Sequence, residues 1–289
     1  MAAKRGPTVR RLQLGIELRR LRERAGFTME EAVVGLGFSQ PKLSRVEKGD
    51  IGLPKSGDLR ALLDRYGVED PDDVDFLMEL HRDSLSRGWW STYRTFLPSG
   101  MATYIGLETD AKAIQAWEPN FVLGLLQSES YARALLERAK VVEETTTEYV
   151  ERGITLRMER KEQVTRDESP IELWAILDEA FLRRVMGSSD VMRDQYREIR
   201  ELAERDNITV QIFPMASVSY RYGRGPFQVL GFGTRFPSVV QADDASGAVS
   251  VIDKPFEVLK YSRRFEAMRA GALAPEETPR FLDQLAREI

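Results

Sequence analysis

Apolar residues recur at helical spacing through the first eighty positions of the chain. Leu14, Leu18, Leu21 and Ala25 fall three or four residues apart with arginines between them, which predicts an amphipathic helix closed by Gly26. Ala32, Val33 and Leu36 form a shorter stripe, and Leu43 and Val46 another. Pro54 opens a further helix carrying Leu59, Leu62, Leu63 and Tyr66, and the acidic run from Asp70 to Asp75 caps one carrying Val74, Leu77, Met78 and Leu80. Five helices are expected before residue 85.

The second and third of these helices have a readable junction. Thr28 is an N-cap with Glu31 three residues on, a capping box. Gly37 is expected to stop the first helix, Ser39 to cap the next, Pro41 to sit in its first turn where the missing N–H has no partner to lose, and Gly49 to end it. Two short helices across a tight turn make a helix-turn-helix. With Leu43 and Val46 turned inward, the outer face of the second helix carries Ser39, Gln40, Pro41, Lys42, Ser44, Arg45 and Lys48, a polar and basic set suited to DNA. A capped hairpin with a polar face also occurs in ordinary helical bundles, so the pattern alone leaves both open.

Beyond residue 85 the periodicity becomes mixed. An aromatic cluster, Trp89, Trp90 and Tyr93, marks the change, giving expected domains of 1–85 and 86–289. Helices are expected at Leu107–Trp117, Ser128–Lys140, Thr147–Arg166, Asp190–Arg205, Pro255–Arg269 and Pro275–Arg287. The near-continuous apolar run Ile171–Leu177 and the stretch Thr209–Pro214 read as strands joined through a helix, a parallel crossover. Phe227–Phe232, Ser238–Ala242 and Ala248–Ile252 read as antiparallel additions to the same sheet. The expected class is α+β overall: an all-α N-terminal helix-turn-helix domain of five helices, then a mixed α/β C-terminal domain with a small mixed sheet.

Charge sharpens this division. The chain has 289 residues and a net charge of −4, but residues 1–68 hold 14 Lys and Arg against 8 Asp and Glu, a net of +6, and the rest holds 28 against 38, a net of −10. A basic module beside an acidic one is the footprint of phosphate contact confined to the first. Lys4, Arg5, Arg10 and Arg11, with Gly6 and Pro7, read as a disordered basic lead-in that is either idle or reaches DNA. With no cysteine and His81 as the one histidine, thiolate and multi-histidine metal sites are excluded, and no metal or cofactor is expected. No apolar run has the length of a membrane span, and nothing at the N-terminus reads as a signal peptide; a cytoplasmic, nucleoid-associated protein is expected.

The pattern Thr-x-Glu-Glu-x-x-x-x-Leu-Gly-x-Ser-Gln-x-x-x-Ser-Arg-x-Glu-x-Gly, from Thr28 to Gly49, resembles the Xre/Cro-type DNA-binding domains of bacterial and phage regulators. The resemblance implies that Gln40, Pro41 and Arg45 fall at base-contacting positions, and that Arg22 and Glu47 form a structural ion pair tying the first helix to the recognition helix. Met29 stands where the family carries a phosphate-contacting glutamine. The second region, through Gly88-Trp89-Trp90, Leu107-Glu108, Gly124 to Ala134, Asp178 to Arg184 and Val210 to Pro214, resembles the actinobacterial domain of unknown function of WhiJ-like regulators, with Leu123 replacing the proline usual before Gly124. That resemblance implies an antitoxin-like regulator with a small partner protein encoded nearby.

The second region offers little chemistry of its own. Asp178-Glu179 and Asp243-Asp244 are adjacent carboxylates, and neighbours on a strand point to opposite faces; Asp178 fits better as a helix cap. Tyr220 to Gly225 is basic and glycine-bearing but lacks phosphate-loop spacing. Trp89, Trp90, Trp117, Phe121, Trp174, Tyr220 and Tyr222 are candidates to line a ligand pocket, or are core. The expected function is sequence-specific regulation by a homodimer on double-stranded operator DNA, its C-terminal domain dimerising and receiving a protein or ligand signal. The alternatives are a small-molecule-responsive repressor with an aromatic pocket and an enzyme tethered to DNA.

Overall fold

The computed structural model describes residues 7–85, 88–93, 96–98, 100–217, 225–233, 236–243 and 249–289. Lys4, Arg5 and Gly6 of the basic lead-in, Tyr220 and Tyr222, and Asp244 lie outside the described residues. The chain divides into two compact units, residues 1–95 with 100–110, and residues 96–99 with 111–289. The first therefore runs past residue 85 to the end of its sixth helix.

The first unit contains helices α1 (Pro7–Arg24), α2 (Met29–Val33), α3 (Gln40–Glu47), α4 (Ser56–Arg65), α5 (Pro71–Ser84), a 3-10 turn at Trp89–Tyr93, and α6 (Met101–Asp110). Leu14, Leu18, Leu21, Ala32, Leu43, Val46, Leu59, Leu62, Leu63, Leu77 and Leu80 share one buried cluster, with Met29, Val33 and Leu36 packed against it. Two expectations at the N-terminus are corrected. Arg10 and Arg11 are not on a disordered lead-in but on α1, because Thr8, Val9 and Leu12 are buried and anchor the first turns. Ala25 lies beyond the end of α1 and is exposed; Gly26, at φ +78°, closes the helix by donating to Glu23 O.

The second unit is built on a six-stranded sheet of order β3-β2-β1-β4-β5-β6, where β1 is Ala113–Glu118, β2 Glu172–Asp178, β3 Ile208–Phe213, β4 Phe227–Gly231, β5 Val239–Asp243 and β6 Val249–Ile252. β1, β2 and β3 pair in parallel, and β4, β5 and β6 extend the sheet antiparallel from β1. The crossover and the antiparallel additions are therefore both present. The helix expected over Leu107–Trp117 is corrected: α6 ends at Asp110 and a new strand begins at Ala113. Ala113, Gln115, Ala116 and Glu118 carry no strand preference, but between β2 and β4 the segment gains ladder bonds on both edges, and tertiary pairing overrides propensity.

The remaining helices are α7 (Glu129–Val142), α8 (Thr147–Thr165), the short α9 (Glu179–Leu182), α10 (Ser189–Leu202), α11 (Pro255–Gly271) and α12 (Thr278–Glu288). α11 lies against one sheet face, where Val258, Phe265 and Met268 join Trp117, Ile176, Phe213, Phe227, Val229 and Val240 in a second core. The outer edge of β3 is closed by the chain that follows α11: Leu273 N donates to Ile212 O, and Thr278 Oγ1 to Val210 O. Gln195 of α10, fully buried, donates to Leu126 O and accepts from Ser128 N, both at 2.8 Å, and so pins the Gly124–Ser128 segment.

Candidate nucleic-acid interface

The helix-turn-helix is assembled from local caps and one long-range tie. Thr28 and Glu31 form the reciprocal capping box: Glu31 N donates to Thr28 Oγ1 at 3.2 Å, and Thr28 N to Glu31 Oε2 at 2.8 Å. The Thr28 N–H and hydroxyl, both donating to Glu31 Oε2 at 2.8 Å, hold the Glu31 carboxyl below its ordinary range. α2 is shorter than expected, ending at Val33 rather than at Gly37, and the chain turns through Gly35 at φ +73°. Ser39 stands at the N-cap of α3 in extended conformation but makes no capping bond, and Pro41 lies in the first turn.

α3 buries Leu43, Val46 and Glu47. Its carboxylate is held by Arg22 of α1: Nε to Oε1 at 2.7 Å and Nη2 to Oε2 at 2.9 Å, with Nη1 donating to Phe27 O at 2.9 Å. The hydrogen bond to Glu47 raises the Arg22 guanidinium further above its ordinary range. Beside the pair the Tyr66 phenol, pushed up by burial, makes no hydrogen bond to the described residues. α1 and α3 touch closely nearby, since a Cβ on Gly15 would fall 2.5 Å from Val46 O and 2.7 Å from Glu47 O.

On the outward side, Ser39, Gln40, Pro41, Arg45 and Lys48 are exposed and Ser44 is half-buried. Lys42 is different. Its Nζ lies 3.2 Å from Asp58 Oδ2 in the first turn of α4 and 4.7 Å from the centre of the Phe38 ring. Asp50, just past α3, has its carboxyl pushed up by desolvation, against the pull of Lys48, Arg45 and Arg11. Arg10 is paired with Asp83 of α5 at 3.5 Å. Sequence reasoning missed Asp58 and Gly15. Asp58 reads as an ordinary first-turn acid, and Gly15 as one weak position in a helix; neither local signal reveals a neighbour on another helix.

The aromatic candidates among the described residues are divided between the two units. Trp89 and Trp90 belong to the first unit, meeting edge to face at 6.1 Å, with Trp89 Nε1 donating to Thr109 Oγ1. Trp117 is fully buried against Phe213 at 5.4 Å, while Phe121 is half-buried in the segment after β1. Trp174 is half-buried at the margin of the core that holds Trp117, its indole N–H bonded to Gln211 Oε1 at 2.8 Å and its ring under Arg269 at 4.9 Å. It lines a recess of about 440 Å³ with Gln115, Glu172, Asp206 and Thr209. The carboxylate pair after β2 is occupied structurally: Asp178, pushed up by burial, caps Ala180 N, and Glu179 binds Arg183 at 2.8 Å and Met215 N at 3.0 Å. Among the described residues no group of three or more His, Cys, Asp or Glu is arranged to hold a metal, and no helix is long and apolar enough to cross a membrane.

Comparison with known proteins finds two families, the second of which takes in α6 together with most of the second unit. A helix-turn-helix domain family matches residues 13–77, from within α1 to the middle of α5, and gives the chain a DNA-binding regulator's helix-turn-helix. No curated protein and no solved structure matches the chain. Residues 101–284, well over half of the sequence, match a second family, described as a domain of unknown function (DUF5753); this chain belongs to that family, carrying its domain behind a helix-turn-helix.

Proposed function

We propose that the protein is a sequence-specific transcriptional regulator that reads double-stranded operator DNA with the outward face of α3, as a homodimer whose second unit dimerises and receives a signal. The observation that carries the reading is the face itself: Gln40, Pro41, Arg45 and Lys48 are exposed on a helix whose inner side is locked to α1 through Arg22 and Glu47. In this reading Gln40 pairs with adenine, Arg45 with guanine O6 and N7, and Pro41 offers only apolar contact. Ser39, Ser44 and Lys48 meet phosphates or groove edges. One such module reads few base pairs, so two half-sites about one helical turn apart are needed for specificity.

The signal in this reading is a small protein encoded nearby, in an antitoxin-like arrangement, since the second unit is larger than dimerisation requires. The recess beside Trp174 favours a second reading, a small-molecule effector: its volume is within the range of ligand sites and its indole is held rigidly. Selection of bound sequences from a random duplex library, with light scattering of the free protein, tests the core claim. A two-fold symmetric consensus bound by a dimer is the expected result; a monomer bound to a single half-site overturns it. Thermal-shift screening of metabolites against co-purification with a small protein separates the two signals.

A further inference from the structure

Three cations lie along the outward side of α3 and its end, but only two of them project into solvent: Arg45 and Lys48 are exposed, while Lys42 is drawn sideways. Its ammonium is held between the Asp58 carboxylate, at 3.2 Å, and the face of Phe38, at 4.7 Å from the ring centre. The two side chains of the ion pair are 30% and 20% exposed, so water screens them less than an open surface pair. Both attractions are electrostatic and act on the same nitrogen from different residues, one on α4 and one in the turn before α3. Asp58 suits the first turn of α4 for the ordinary reason that a helix N-terminus favours negative charge. That reason explains the residue type; it does not explain a contact sixteen positions back along the chain, with the one α3 lysine inside the reading face.

We propose that Asp58 is a positioning residue that latches Lys42 away from the DNA backbone and so holds down the sequence-independent part of DNA affinity. The proposal rests on the reading of α3 as the groove-facing helix. A lysine freed at this place neutralises one more phosphate, and each such contact steepens the dependence of log affinity on log salt by about 0.9. At physiological salt that corresponds to roughly fivefold tighter binding. Phosphate contacts carry no base information. The latch therefore lowers affinity for all sequences alike and leaves base preference with Gln40 and Arg45.

The test uses the full-length protein and a fluorescent duplex of random sequence, titrated over a range of potassium chloride concentrations. Lys42→Met keeps the stem over Phe38 and removes the charge; it is expected to leave the salt slope unchanged. Asp58→Asn is expected to steepen the slope by about 0.9 and tighten binding roughly fivefold, and the double variant to return to the Lys42→Met values. A Lys42→Met variant whose slope flattens by about one overturns the proposal, because Lys42 is then already on a phosphate. An Asp58→Asn gain that persists in the Lys42→Met background also overturns it, because Asp58 then acts only through its own charge. If Asp58→Asn does not fold, Phe38→Leu loosens the same latch from its other side and is expected to steepen the slope in part. Lys48→Ala on the same duplex separates the two claims: an unchanged slope there removes the groove-facing reading of α3, whereas a flattened slope with no response to Asp58→Asn removes the latch alone.

Discussion

Arg22 and Glu47, twenty-five residues apart, are joined by two parallel N–H···O bonds of 2.7 and 2.9 Å in a site where the carboxylate is 1% exposed. A buried, bidentate pair of this kind is worth little relative to an apolar replacement but is costly to break on one side. Glu47→Leu alone leaves Arg22 buried with Phe27 O as its hydrogen-bond acceptor and the exposed Glu23 carboxylate 3.7 Å away, and is expected to lower stability by about 3–5 kcal/mol. Arg22→Met with Glu47→Leu is expected to recover most of that loss. Urea denaturation followed by amide exchange in α1 and α3 measures both; equal losses in the single and double variants would show that the pair itself, rather than its unpaired remnant, supplies the energy.

Gly15→Ala sets two effects against each other. Alanine in a helix interior is favoured over glycine by about 1 kcal/mol. At this position the new methyl meets the carbonyl oxygens of Val46 and Glu47 at 2.5 and 2.7 Å, backbone atoms that yield only if α3 moves. Overpacking of this kind costs about 1–3 kcal/mol, so the overlap wins. The expected outcome is a lower melting temperature together with weaker DNA binding, since the displaced element is the helix proposed to read DNA. A stabilised protein with unchanged affinity counts against the close contact.

Arg45 and Lys48 are expected to fail differently when removed. Arg45→Ala should cost roughly 1–3 kcal/mol of operator affinity and relax preference at one base pair, whereas Lys48→Ala should weaken every sequence alike and flatten the salt slope by about one. A library of operator variants distinguishes them. A uniform loss for Arg45→Ala with a flattened slope reduces Arg45 to a phosphate contact.

The capping box gives a pH dependence with a definite sign. Bonds from Thr28 hold the Glu31 carboxyl below its ordinary value, so its contribution to α2 is present above the unfolded carboxylate range and is lost as pH falls through the folded value. Thr28→Ala is expected to cost about 1 kcal/mol at neutral pH. Part of that difference should disappear in acid, where wild type also loses the Glu31 bonds. A difference that grows on acidification contradicts this assignment.

Helices α1 to α5 were legible because their causes are local. A stripe such as Leu14, Leu18 and Leu21, a cap such as Thr28 with Glu31, and an acidic start such as Asp70 act within one or two turns. Strands β2 and β3 were legible as apolar runs buried on both faces. The pairing of Arg22 with Glu47 came from resemblance alone, and spacing gave no hint of it.

Tertiary structure decided whatever depends on a neighbour distant in sequence. Ala113–Glu118 is a strand because β2 and β4 flank it, although Ala113, Gln115, Ala116 and Glu118 give no strand signal. The first turn of α1 is held because Thr8 packs where Gly106 of α6 has no side chain: a Cβ there would fall 1.9 Å from the Thr8 hydroxyl oxygen. Trp117 and Trp174 share one face of adjacent strands, yet Trp117 is fully buried in the core beneath α11 whereas Trp174, at the margin of that core, is half-buried beside the recess with Arg269 of α11 over its ring. Lys42, which reads as one of three equivalent cations along α3, is set apart by Asp58 and Phe38. Residue type and spacing determine which face a helix presents, but the partner each side chain meets there depends on contacts made only when the chain has closed on itself.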